Sequence, residues 1–240
     1  MRRKLSLCAI FMFLMFSASS AFSQAEFYVA TAIPPGVGTK IKSLPYTISS
    51  PGLYYLGSNL AFPSGMYAVN IQSDGVTLDL MGFEISGNSQ SIGIYANGNN
   101  ITIRNGTIRA HSVGITTYQG KKNLRVSNVR CAQNWTGLDL SACESVQVTS
   151  CDSSENTLYG LAMSSGLVSG CTFNHNACGV FALGAANLLG NTTTNNTGYG
   201  VEINTDANVL IDRHLAYNNA FTNFATHTSG AITWGLNAGR

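Results

Sequence analysis

The charged side chains of this 240-residue chain are few and sorted along it. Between Glu84 and Asp139 stand Arg104, Arg109, Lys121, Lys122, Arg125 and Arg130 with no acid among them. Between Arg130 and Arg213 stand Asp139, Glu144, Asp152, Glu155, Glu202, Asp206 and Asp212 with no base. A run of cations suits a polyanion such as a carboxylate-bearing sugar polymer, which guanidinium groups grip bidentately. It equally suits a solvated surface whose opposite charges help neighbouring segments dock. Glu155 and His175 offer either an acid–base pair or a simple hydrogen-bonded pair.

Those residues need a scaffold, and internal repetition supplies it. A Gly followed by an apolar residue recurs at Gly93-Ile94, Gly114-Ile115, Gly137-Leu138, Gly160-Leu161, Gly179-Val180 and Gly200-Val201, at spacings of 21, 23, 23, 19 and 21. A second short β pattern follows each (Ile101-Thr102-Ile103, Leu124-Arg125-Val126, Val146-Gln147-Val148), then a polar segment ending in Asn134, Asn156, Asn176, Asn196 or Asn219. His111 and Asn88 hold that last place in the earlier repeats. Each repeat reads as three short strands joined by tight turns. Period-two alternation points Ile94, Ala96, Ile101 and Ile103 inward and Tyr95, Thr102 and Arg104 outward. No single coil buries its apolar positions, but stacked coils do, with like residues ~4.8 Å apart. The glycines would permit the turns, and the Asn column would carry amide-to-amide hydrogen bonds up the stack.

The repeat therefore predicts an all-β, right-handed, single-stranded parallel β-helix of about seven coils with N- and C-terminal caps. Residues 1–23 read as a signal peptide, 24–65 as an N-terminal cap, 66–225 as the β-helix and 226–240 as a C-terminal cap. A left-handed β-helix would repeat every six residues, and leucine-rich repeats need an LxxLxLxxN register that is absent.

Aligning the coils sets Asp79, Thr102, Arg125 and Gln147 in one outward column and Met81, Arg104, Ser127 and Thr149 in the next. Asp79, Arg104 and Arg125 then share a face, with Lys122 at the adjoining turn. On the third strand Arg130 stacks over Asp152, while Gln133, Glu155 and His175 succeed each other. Asp139 and Glu202 share a column three coils apart, ~14 Å, beyond the roughly 6.5–9.5 Å of inverting carboxylates.

The run Asp74-Gly-Val-Thr-Leu-Asp-Leu-Met-Gly-Phe-Glu-Ile-Ser-Gly87, followed by Asn100-Ile-Thr-Ile-Arg-Asn-Gly-Thr-Ile108, resembles the opening coils of right-handed β-helix proteins of the pectate-lyase-like superfamily. The similarity covers roughly residues 66–225 and carries the fold more than any one activity. Its lyases hold a calcium ion on clustered acids while an Arg or Lys removes the proton beside a uronate carboxylate. The resemblance thus implies lyase or epimerase chemistry with Arg104 or Arg125 as base, helped by Asp79 and Lys122, with Glu155 and His175 as a second candidate pair. The clustered acids are missing, so Ca²⁺ is unsupported and neither a metal nor another cofactor is expected. Asn204-Thr205-Asp206 resembles the NTD of polygalacturonases, but none of their other motifs follows.

The chain opens with Arg2, Arg3 and Lys4, an apolar run from Leu5 to Phe16, and Ala21-Phe22-Ser23, the pattern of an export signal cleaved before Gln24. Twelve residues fall short of the roughly 20 that span a bilayer. Without residues 1–23 the chain holds 10 basic and 11 acidic residues, net −1, which argues against a nucleic-acid partner. Cys131, Cys143, Cys151, Cys171 and Cys178 form neither a CxxC pair nor a zinc pattern and read mostly as buried thiols. Together these features predict a secreted protein that binds or acts on an acidic polysaccharide. The alternative is a non-catalytic β-helix serving as a surface binding or structural module.

Overall fold

The computed structural model describes residues 37–227 and 230–239; the signal peptide expected at residues 1–23 lies outside the described residues. No helix occurs among them, and every strand pairing is parallel. The strands stack as a solenoid of about eight coils, one more than the repeat predicted.

Each coil contributes to three faces. The glycine face runs Tyr46–Ile48, Tyr67–Ile71, Ile92–Ala96, Val113–Thr117, Thr136–Leu140, Tyr159–Met163, Cys178–Ala182, Tyr199–Ile203 and Thr222–Thr226. The arginine face holds Val76–Asp79, the first halves of Thr102–Arg109 and Arg125–Ala132, and Val146–Thr149. The second halves of those two long strands bend onto a third face with Glu84–Ser86 and Asp152–Ser154. Residues before 65 and after 226 also join these sheets: Gly52–Leu56 pairs with Val76–Asp79, and Ile232–Trp234 with Val209–Asp212.

The alternation holds. Ile94, Ala96, Ile101, Ile103, Val126 and Val148 are buried in one continuous core, in the register Ile103–Val126–Val148. Inside it, Asn134, Asn156, Asn176, Asn196 and Asn219 form the expected ladder, each Nδ2 donating to the next Oδ1 at 2.8–3.2 Å. Burial makes such amides costly unless every group is satisfied, so the ladder fixes the stacking as firmly as the aliphatic core. His111 extends it, but Asn88 does not. Five residues separate Ser86 from Ile92 where three separate Arg109 from Val113, and the longer turn leaves Asn88 outside, donating to the Pro63 carbonyl.

The recurrent glycines have a different task from the one expected. They sit inside strands, buried, rather than in turns. A Cβ on Gly160 would come within 2.6 Å of the Gly179 carbonyl oxygen and 2.9 Å of Asn176 Nδ2. Glycine is therefore needed to let the Asn ladder pass. The bends fall on other residues at positive φ, among them Asn105 (61°), Asn128 (52°), Gln133 (58°), Glu155 (60°) and His175 (55°) and, in later coils, Gly170 (64°) and Gly190 (63°).

Among the described residues Cys131, Cys143, Cys151, Cys171 and Cys178 are buried and free. Cys151 stacks on Cys171, its backbone N–H donating to Cys171 Sγ at 3.4 Å, and burial pushes the Cys131 and Cys178 thiols up. Titrating denatured, unreduced protein should therefore find all five of these thiols; finding three would show that a Cys151–Cys171 bridge has formed.

Candidate functional site

The arginine face brings Asp79, Arg104 and Arg125 onto one sheet, but in a shifted register. Asp79 stands opposite Arg104, and Thr77 opposite Thr102, because 25 residues rather than 23 separate those coils. Met81, expected in the outward column with Arg104, occupies the bend at φ 53°. Asp79 is buried and fully engaged: it accepts from Arg104 Nε at 2.8 Å, Asn105 Nδ2 at 3.1 Å and the Met81 backbone N–H at 2.9 Å. A carboxylate so placed ties a bend to the next coil.

The basic run is likewise not left bare. Arg109 pairs with Glu84 at 2.8 Å, Lys122 with Glu144 at 2.8 Å, and Arg130 with Asp152 at 3.5 Å and Glu155 at 3.3 Å. In sequence these partners lie 22 to 25 residues away; in a solenoid they are next-door neighbours. Arg125, whose Nε donates to Gln147 at 3.1 Å, has no carboxylate partner among the described residues. Glu155 and His175 occupy matching bends of adjacent coils, yet Glu155 turns to Arg130 and to Gln133 Nε2 at 3.1 Å.

No three His, Cys, Asp or Glu side chains converge as metal ligands among the described residues. With Asp79 committed to Arg104, Asn105 and Met81, the donor set does not fit the calcium of the lyases.

The glycine face carries what the charge pattern did not show. Its outward positions form two columns, Ile92–Val113–Thr136–Tyr159–Cys178–Tyr199 and Asn70–Tyr95–Thr116–Asp139–Ala162–Phe181–Glu202. Neither contains a Lys or Arg. Tyr67 stacks on Tyr95 at 4.6 Å and Tyr159 on Phe181 at 5.0 Å, with ring planes within 11° and 7° of parallel. Between these aromatic ribs lies a floor of half-buried small and polar side chains, Val113, Thr116 and Asp139, with Thr136 buried in the same columns. Exposed Tyr118 and Trp135 flank it, one just past the strand Val113–Thr117 and the other just before Thr136–Leu140.

Burial raises the Tyr95 hydroxyl, helped by Tyr67 and Tyr118; burial also raises Tyr159, helped by Cys178, Glu202 and Asp139. Asp139 Oδ1 accepts from Ser141 Oγ at 2.6 Å. Lys121, in the short strand Lys121–Lys122, lies near Asp74, whose carboxyl is held below its usual range by hydrogen bonds from the Asn99 backbone and side chain and, least, by Lys121. Aromatic faces around a polar floor, with cations at the rim, suit a sugar: C–H faces pack on rings and hydroxyls donate to carboxylates. Taking the residues one before and two after each recurrent Gly would have found this face in the sequence.

The class defined here is a parallel β-solenoid with an aromatic, carboxylate-bearing face. The family model "Right handed beta helix region" matches residues 57–187 and 161–237, and the chain belongs to that family. No curated protein sequence matches it. Among solved structures it is similar to a variant of the periplasmic alginate epimerase AlgG (TM-score 0.68, 13% identity, 78% of this chain and 50% of that one). It is also similar to the A-module of the Azotobacter vinelandii mannuronan C-5 epimerase AlgE4 (TM-score 0.66, 13% identity, 86% and 64%). The chain thus spans half to under two thirds of those structures, and at such identity the likeness is one of fold.

Proposed function

We propose that this protein is an exported polysaccharide-binding β-helix whose ligand is an acidic sugar polymer lying across the glycine face. The carrying observation is the floor of Thr116 and Asp139 enclosed by Tyr95, Tyr118, Trp135 and Tyr159. Sugar rings pack against the aromatics, hydroxyls donate to Asp139, and Lys121, with Lys122 and Arg125 beyond it, attracts the carboxylates. Alginate epimerases among the structural neighbours support a uronate-type ligand. Export rests on the N-terminal pattern; no helix among the described residues is long and apolar enough to cross a membrane.

Lyase or epimerase chemistry at the arginine face would fall to Arg125, because Asp79 holds Arg104 as a charged ion pair and Lys122 is paired with Glu144. Binding needs neither. Incubation with uronate polymers separates the two readings: unsaturated product absorbs at the ultraviolet edge, and epimerised product changes the proton spectrum of the polymer.

Binding itself is tested by calorimetry with uronate polymers and neutral glucans. Trp135→Ala should weaken both about 10-fold or more, as loss of an aromatic platform does. Lys121→Gln with Arg125→Gln should weaken only the charged polymers, and raising the salt should do the same. Equal affinity for charged and neutral polymers would remove the acidic ligand, and indifference to Trp135→Ala would remove the face.

A further inference from the structure

The glycine face extends well past the floor of Thr116 and Asp139, and it is walled on both sides. All strands of that sheet run parallel, so the residues just before them share one margin and the residues just after them share the other. Large apolar side chains stand exposed on each. Met66 and Trp135 immediately precede Tyr67–Ile71 and Thr136–Leu140; Tyr118 and Leu183 immediately follow Val113–Thr117 and Cys178–Ala182.

Two ribs of one construction cross the trough between these margins. Each joins a ring of the first outward column to a ring of the second column one coil later. Tyr67 meets Tyr95 in this way, and Tyr159 meets Phe181, at 4.6 and 5.0 Å. The second column runs Tyr95–Thr116–Asp139–Ala162–Phe181–Glu202, so four coils, ~19 Å at the strand spacing, separate the ribs. Beyond the second rib Glu202 Oε1 lies 3.8 Å from His227 Nε2, outside hydrogen-bond reach, which leaves this carboxylate able to accept from hydroxyls.

We infer that the sugar polymer runs along the solenoid axis, from the Tyr67–Tyr95 rib to the Tyr159–Phe181 rib and on to Glu202. The inference rests on the glycine face being a sugar-binding surface, and adds the direction of the bound chain and the length it must have. An extended, 1,4-linked pyranose chain advances per sugar by nearly the rise of one coil, so successive sugars meet successive coils. A chain touching both ribs then holds about five sugars. A chain laid parallel to the strands would meet one rib at most and would have to climb over the apolar margins. The two halves of the path differ in charge. Lys121 borders the first half, whereas Glu202 brings a like charge to any uronate at the far end.

Calorimetry with 1,4-linked oligouronates of two to eight units tests the path. Affinity should rise with length to about five or six units and then level, as the rib spacing requires. Phe181→Ala should weaken the hexamer about 10-fold, the loss expected of an aromatic platform, and leave the dimer unchanged. Glu202→Lys should tighten the hexamer about 5-fold at low salt and leave the dimer unchanged, a gain that a misfolded protein cannot give. Affinity that levels at two or three units, or a dimer and hexamer that respond alike to the two substitutions, would overturn the axial path and leave the sugar-binding face in place. No binding at any length would overturn both.

Discussion

Val126→Asp should yield no cooperatively folded protein, whereas the same carboxylate one residue on, at Ser127, should change stability by less than about 0.5 kcal/mol. Val126 is fully buried between Ile103 and Val148 in the coils on either side. A carboxylate there has no cation or donor to meet, and must either stay ionised in an apolar column or protonate at a cost. Either route costs several kcal/mol, a large share of the 5–15 kcal/mol that holds a domain together. The defect is also shared, because each coil rests on its neighbours. Ser127 points outward and stands opposite Arg104, so Ser127→Asp gains a favourable neighbour. Urea melts of the two variants check the register residue by residue; a Val126→Asp protein with an undiminished midpoint would overturn it.

The fold was legible because its two determinants are periodic. The aliphatic column recurs with every coil and the Asn ladder from Asn134 to Asn219, and over those coils both stand where the sequence placed them. Coil length varies, however, and there legibility fails. The 25 residues from Asp79 to Arg104 shifted one column by two positions, and the longer turn after Ser86 removed Asn88 from the ladder. Charge was read along the chain, where Arg104 to Arg130 look uncompensated, but electrostatics acts across coils, where Glu84, Glu144, Asp152 and Glu155 answer them. The Gly of each Gly–apolar pair does not form the turn; the bends fall on Asn, Gln, Glu and His as well as on other glycines such as Gly170 and Gly190, which the Gly–apolar repeat does not mark. The aromatic floor went unnoticed for a related reason: Tyr95, Trp135 and Tyr159 are dispersed in sequence, and only stacking assembles them.

The second large effect concerns acid. His111 and His214 are both buried in interior columns: the His111 backbone N–H donates to Asn134 Oδ1 at the start of the Asn ladder, and His214 sits between Asn191 and Asn237 in a second column. His111 Nδ1 lies 2.8 Å from Ser91 Oγ, and His214 Nε2 lies 3.1 Å from Thr193 Oγ1. The remaining nitrogen of each ring has no well-aligned hydrogen bond among the described residues. Burial therefore holds both rings neutral, with pKa values lowered to about 4, the Ile85 carbonyl offsetting little of this for His111. In the unfolded chain the same rings titrate near 6.5. Between those values the unfolded state binds protons that the folded state refuses, so stability is complete above about pH 6.5 and falls as pH drops towards 4. Each ring contributes a slope of about 1.4 kcal/mol per pH unit, hence about 3 kcal/mol across the window and roughly twice that for the pair. Carboxylates released from their ion pairs add to the loss at the acid end, so the histidines must be isolated by difference. Replacing both with Asn keeps an amide in each column and removes the titration. Urea midpoints from pH 7.5 to 4 should fall steeply for the native chain and much less for His111→Asn with His214→Asn, the two curves separating below pH 6.5. Parallel curves would mean that the rings take up protons in the folded state and that the two sites are open to water.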